Sequence, residues 1–237
     1  MTLITDILAR AARQCSVIPP SNWATAQDQT SLELLDFMAE TADDVLERID
    51  LTQPISQSLV ITGTGVESYP LPADYKRLHR GTFAVYERFR TRRECIPVSD
   101  DGQWQYMQEL GSAGAYRFFR VRGFPGSYQI DFFQPLETDI TVVVNYVSTN
   151  WVQNASPKPA FDDNNDISLL PRRLVEAGIV FRFRERKGLE YGDKHAEYEA
   201  LIARMANDTK TRRSIVFGGM TPRGPFDVTV PDFIPPN

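Results

Sequence analysis

Few residues in this chain are of a type and spacing that could do chemistry. The two histidines, His79 and His195, lie far apart, and neither has a cysteine or carboxylate beside it in a metal-ligand pattern. Cys15 and Cys95 are isolated and make neither a disulfide framework nor a zinc site. Asp43-Asp44 and Asp100-Asp101 could supply a general acid and base. Adjacent aspartates usually face solvent, however, and nothing in the sequence points to burial that would shift a pKa. Asp162, Asn164 and Asp166 imitate the first ligands of a calcium loop, but Ile167 stands where the sharp-turn glycine belongs and Arg173 where the bidentate glutamate belongs, so the metal reading is rejected. Gly63-Thr64-Gly65 is followed by no third glycine and no helix, so it is no phosphate loop. There is no nucleophile elbow or dinucleotide fingerprint. Asn154-Ala155-Ser156 is a glycosylation sequon in spelling only, since nothing suggests secretion. The reading is therefore of a protein that is not an enzyme and takes no cofactor and no metal.

Binding signals are stronger. Arg88, Arg90, Arg92 and Arg93 crowd the end of one apparent strand among aromatic neighbours, which could hold phosphate backbones. The commoner role for such a run is a solvated hairpin tip or an ion-paired subunit contact. The first fifth of the chain is strongly acidic, as a solvated helix face or as a surface that meets a basic partner. Residues 214–237 hold Gly218, Gly219, Gly224 and five prolines, together with Phe217, Phe226, Val228, Val230, Phe233 and Ile234. A plain disordered tail should be polar. Spaced hydrophobic anchors on an extended backbone suit docking on another surface, and the alternation of Phe226, Val228 and Val230 suits an added strand.

The elements that must position these residues follow from periodicity. Leu3 to Val17 reads as a helix with Ile4, Ile7, Leu8, Ala11, Ala12 and Cys15 on one face, ended by Pro19-Pro20. Ser31 to Ile49 reads as a second, with Leu32, Leu35, Ala39, Ala42, Leu46 and Ile49 as its core stripe. From Leu51 the period falls to two. Leu59–Thr62, the run from Phe83, 116–122, 128–132 and 140–147 read as strands, the last three as a meander. Two prolines keep Tyr69-Pro70-Leu71-Pro72 out of any central strand, and a short helix over 100–110 carries Trp104 and Met107. Ser168 to Asn207 reads as a helical hairpin. Its first helix is apolar over a broad arc through Leu174, Gly178 and Phe181, and so central; Pro171 lies just inside its start. Gly188 and Gly192 break the hairpin, Asp193 can cap its second helix, and Tyr198, Leu201, Ile202 and Met205 form that helix's narrow stripe.

The fold class is thus α+β. Residues 1–50 and 154–213 form one helical bundle, 51–153 an inserted antiparallel β domain, and 214–237 an extended tail. A net charge of −5 argues against a dedicated nucleic-acid binder. No run is long enough to span a membrane, the N-terminus does not read as a signal peptide, and cysteine usage makes a cytosolic folding compartment the default.

This layout resembles the head-to-tail adaptor (connector) proteins of tailed bacteriophages, of the tail tubular protein A type. The resemblance rests on two N-terminal helices, a β region entered through Tyr69-Pro70-Leu71-Pro72-Ala73-Asp74-Tyr75, and the stretch from Leu169-Leu170-Pro171 through Arg184-Glu185-Arg186-Lys187-Gly188-Leu189-Glu190-Tyr191. It covers about residues 1–210, as order and pattern more than identity; the tail matches in character. It implies a structural virion protein at the head–tail junction, assembled in the host cytoplasm. Such proteins form a homo-oligomeric ring, generally dodecameric, beneath the portal protein. The ring seats the tail nozzle and continues a channel through which DNA passes without specific binding. The anchors Phe217, Phe226, Val228, Val230, Phe233 and Ile234 would then meet the portal or a neighbouring subunit, and Arg88, Arg90, Arg92 and Arg93 would supply interface charge. Two alternatives remain: another phage neck or tail-completion protein, and a cell-wall hydrolase acting on entry.

Overall fold

The computed structural model describes residues 2–81, 83–88, 93–111 and 116–210, with the side chains of 209 and 210 left aside. The described residues form a mixed α/β fold with five helices: α1 Ile4–Gln14, α2 Gln29–Arg48, α3 Asp101–Leu110, α4 Arg172–Arg186 and α5 Gly192–Lys210. The strands are β1 Thr2–Leu3, β2 Ser56–Thr62, β3 Ser68–Pro70, β4 Tyr75–Leu78, β5 Val85–Glu87 and β6 Ile96–Pro97, then β7 Phe118–Arg122, β8 Gln129–Phe132, β9 Thr141–Ser148, β10 Val152–Gln153, β11 Pro157–Lys158 and β12 Ile167–Ser168.

Helix α4 packs against α1, α2 and α5, as its broad apolar arc requires. Leu174, Val175, Gly178, Ile179, Val180, Phe181 and Phe183 are all buried. Ile4, Ile7 and Leu8 of α1, Leu34, Met38 and Val45 of α2, and Tyr198 and Ile202 of α5 close the core around it. Each such aliphatic side chain gains about 1.5–3 kcal/mol from leaving water. The stripe expected on α2 is rotated. Leu34, Phe37, Met38, Thr41, Ala42, Val45 and Leu46 face inward, whereas Leu32 is 46% exposed and Ala39 is exposed. Two overlapping stripes satisfy the same helical period, and the one holding the bulkier Phe37 and Met38 fills the space against α4.

The α2–α4 crossing is close because Gly178 has no side chain. A Cβ there would lie 2.3 Å from Thr41 Cγ2, and Thr41 is itself fixed, donating from Oγ1 to the Phe37 carbonyl at 2.6 Å and accepting from Arg182 Nη1 at 3.0 Å. Gly178→Ala should therefore destabilise by about 1–3 kcal/mol through overpacking, against the roughly 1 kcal/mol that alanine gains in a helix. Adding Thr41→Ala should restore part of the loss in thermal unfolding. A single variant that melts at or above the parent would mean the helices do not approach this closely.

Cap details differ from expectation. Pro171 is the N-cap of α4, one residue outside the helix, and Asp193 lies within the first turn of α5, where its charge meets the positive end of the helix dipole. Gly188, at φ +67°, closes α4: its N–H donates to the Glu185 carbonyl at 3.1 Å and that of Leu189 to Arg184 at 2.9 Å.

The strands form three four-stranded sheets, ordered β1-β12-β10-β11, β2-β9-β4 with β5 also on β9, and β3-β8-β7-β6. All pairs are antiparallel except β6–β7. The expected three-strand meander is not formed. β7 and β8 pair, but β9 leaves them to pair with β2 along its whole length. The reason lies in its burial: Val142, Val143, Val144, Tyr146 and Val147 are all buried, so β9 needs cover on both faces and partners on both edges. Val142, Val144 and Tyr146 join a second core with Phe119, Ile130 and Phe132, while Val147 joins the helical core. Pro70 sits on an edge strand, where a missing N–H costs nothing.

Candidate partner interface

The residues with chemical potential are occupied structurally. His79 Nε2 lies 2.9 Å from Ser56 Oγ, and burial holds its pKa below the ordinary histidine value, which keeps the ring neutral. Burial pushes the Cys15 thiol up to about 11 and the Cys95 thiol to about 12, so neither is a thiolate nucleophile near neutrality. Asp43 accepts from Lys76 Nζ at 2.6 Å, and Asp44 accepts from the Tyr198 hydroxyl at 2.6 Å. Asp100 caps α3 through the Gly102 and Gln103 N–H groups, and Asp101 pairs with Arg120 at 3.1 Å. Neither aspartate pair is an assembled acid–base couple. His195 does have a carboxylate one helical turn on, contrary to the sequence reading: Glu199 Oε1 is 3.9 Å from its Nε2. That glutamate is already taken by Arg48, at 2.5 and 2.7 Å. Among the described residues no three metal-capable side chains converge.

The would-be calcium loop spends its acids internally. Asp166 is fully buried and receives Lys158 Nζ at 2.8 Å, Asn154 Nδ2 at 3.0 Å, and the N–H groups of Asp162 and Asp163 at 3.0 and 3.1 Å. Asn164 instead reaches across to Asn22, at 2.7 Å.

Charged surfaces are extensive. The acidic side of α2 is partly ion-paired within the chain. Arg182 lies 3.6 Å from Glu40 and 3.5 Å from Asp44, and Lys187 is 2.6 Å from Glu33. Between α2 and α4 runs an open cleft of about 600 Å³, lined by Glu33, Asp36, Glu40, Arg182, Glu185 and Arg186. At the predicted basic tip, Arg88 and Arg93 are brought together and both are exposed: the Glu87 N–H donates to the Arg93 carbonyl at 3.0 Å, and the Arg88 N–H to Thr141 at 2.8 Å. Arg90 and Arg92 lie outside the described residues, as do Phe217, Phe226, Val228, Val230, Phe233 and Ile234.

One surface was not foreseen. Strand β2 is an edge strand, paired with β9 on one side only, and Ser56–Thr62 carries no charge, glycine or proline. Its Val60 is 48% exposed. The sequence shows the strand and its missing charges, but an edge is defined by which strands pair, and local spacing does not reveal that.

Among the described residues no helix is long and apolar enough to cross a membrane. The model of one protein family, described as SU10 adaptor protein, matches residues 1–223. No curated protein matches the chain.

Proposed function

Since the chain belongs to the SU10 adaptor protein family, we propose that it is a structural virion protein that closes into a dodecameric ring between portal and tail nozzle and continues the DNA channel. The observation that carries this reading is the family match across residues 1–223, which takes in every helix and strand described. Several of the residues weighed for catalysis are engaged within the chain: His79 with Ser56, Asp44 with Tyr198, and Asp100 with the first N–H groups of α3. A ring requires a heterologous interface that closes on itself, so each copy must present two complementary patches. Arg88, Arg90, Arg92 and Arg93 supply positive charge for one such contact. The tail anchors Phe217, Phe226, Val228, Val230, Phe233 and Ile234 reach the portal or the next copy. Acidic surface suits a conduit, because phosphate contacts would otherwise hold the DNA that must pass.

The test is assembly on purified portal rings, viewed by electron microscopy. The full chain should add a layer of twelvefold symmetry. A chain truncated after Arg213 should keep its melting temperature and fail to bind. Another symmetry would place the protein elsewhere in the neck. Undiminished binding by the truncated chain would leave the helices, not the tail, as the attachment.

A further inference from the structure

The open edge of β2 has a specific acceptor geometry. Ile55 accepts from the Ser148 N–H and Gly63 donates to Ile140, so the odd-numbered residues of the strand bond to β9. The N–H and C=O groups of Ser58, Val60 and Thr62 therefore turn the other way, and no described strand pairs with that side. The two faces of β2 also differ. Ile61 is buried in the second core with Leu59 packed against it, whereas Ser58, Val60 and Thr62 are exposed. A strand laid on this edge would need apolar residues at alternate positions to extend the core beside Leu59 and Ile61, with polar residues between them. Natural edge strands are usually blunted by lysine, proline or a bulge; this one has seven paired residues in continuous register with β9.

One stretch of this chain's own sequence outside the described residues fits that requirement. Phe226-Asp227-Val228-Thr229-Val230 alternates apolar and polar, and Pro225 and Pro231 bracket it, limiting an added strand to those five residues. The last turns of α5 share clefts with the segments around β2: Asp208 and Met205 line one with Thr52, and Asn207 lines another with His79, the partner of Ser56. The roughly 16 residues from Lys210 to Phe226 can span up to about 50 Å, enough to leave one copy and reach the next.

Resting on the ring reading above, which demands one donor patch and one acceptor patch per copy, we infer that residues 226–230 of one copy add as a strand to the β2 edge of its neighbour. Backbone hydrogen bonds from Ser58, Val60 and Thr62 hold the strand, and Phe226, Val228 and Val230 set its register.

Cross-linking of full-length chains tests this. One chain carries Val60→Cys, and the other carries Asp227→Cys or Thr229→Cys, the polar positions that would share Val60's face. Mixed under mild oxidation, they should give a disulfide-linked pair well above the wild-type background from Cys15 and Cys95. Adding Val228→Asp to the donor chain should cut the yield at least tenfold while leaving its melting temperature unchanged. No cross-link in the mixture, an equal yield with Val228→Asp, or a cross-link only within a chain carrying both cysteines would each overturn the assignment. A Val60→Cys chain that dimerises as well alone would do so too, as it would indicate edge-to-edge pairing of two β2 strands. The two readings fail separately. Rings that form on the portal without the cross-link leave the ring and remove the edge contact; a cross-link without rings does the reverse.

Discussion

Phe181→Ala should lower the stability of this protein by about 3–5 kcal/mol, the range for deleting a buried aromatic side chain with incomplete collapse of the cavity. Phe181 is 7% exposed and sits where α4 meets α5. Its ring centroid lies 5.0 Å from that of Tyr198 and 5.2 Å from that of His195, and the Arg182 guanidinium stacks on it at 4.6 Å. Loss of the ring removes more than apolar area. Arg182 also contacts Thr41, Glu40 and Asp44, so the aromatic face helps hold a cation that joins α4 to α2. Tyr198 loses a neighbour that positions its hydroxyl against Asp44. Chemical denaturation should show a lower midpoint with an unchanged slope. An unchanged midpoint would mean that α4 is not the helix on which the others depend.

Helices whose apolar residues cover a wide arc were the most legible part of the sequence. In α1 and α4, nearly every inward residue could be read from spacing, because large side chains recur at the helical period and no second stripe competes. In α2, two stripes about one residue apart fit the same period, and packing against α4, which takes up Phe37, Met38 and Thr41, decides between them. The strands were legible as strands but not as sheets. That β9 pairs with β2, 79 to 91 positions away in the chain, follows from the need to cover both of its faces, a requirement set by the whole molecule. The same limit applies to the candidate interface. The anchors of residues 214–237 are readable as a donor pattern, but an acceptor edge exists only once the sheet is assembled. The solvent-facing reading of the aspartate pairs holds for Asp43, Asp100 and Asp101, which are exposed; Asp44 is the half-buried one of the four, held by Tyr198, Arg48 and Arg182. The spelling of residues 154–166 argues against a calcium loop, but it does not show that one of its aspartates is a buried anchor.

That anchor gives the second large effect. Asp166→Ala should cost about 3–5 kcal/mol, because it breaks a buried ion pair and strands the donors that surround it. All four donors converge on its two oxygens: Lys158 and Asn154 on Oδ1, and the Asp162 and Asp163 N–H groups on Oδ2. Its own carbonyl accepts from the Ile4 N–H at 2.9 Å, so the loop it organises also fixes the start of α1. With every acceptor position engaged, the carboxylate has nothing to offer a calcium ion. Burial alone would raise its pKa; Lys158, the two N–H groups and Asn154 outweigh that and leave it below the ordinary carboxyl value. A depressed folded-state pKa stabilises above the unfolded value of about 3.9, and that contribution fades as pH falls through the folded value. The stability gap between the parent and Asp166→Asn should therefore be constant from neutrality down to about pH 4 and narrow below it. Asp162, 71% exposed and paired with Lys158 across the surface, should behave differently. Asp162→Ala should change stability by no more than about 1 kcal/mol, with the same indifference to calcium as the parent. Calcium protection of the parent that disappears in Asp162→Ala would restore the metal site, and an Asp166→Ala chain as stable as the parent would remove the anchor.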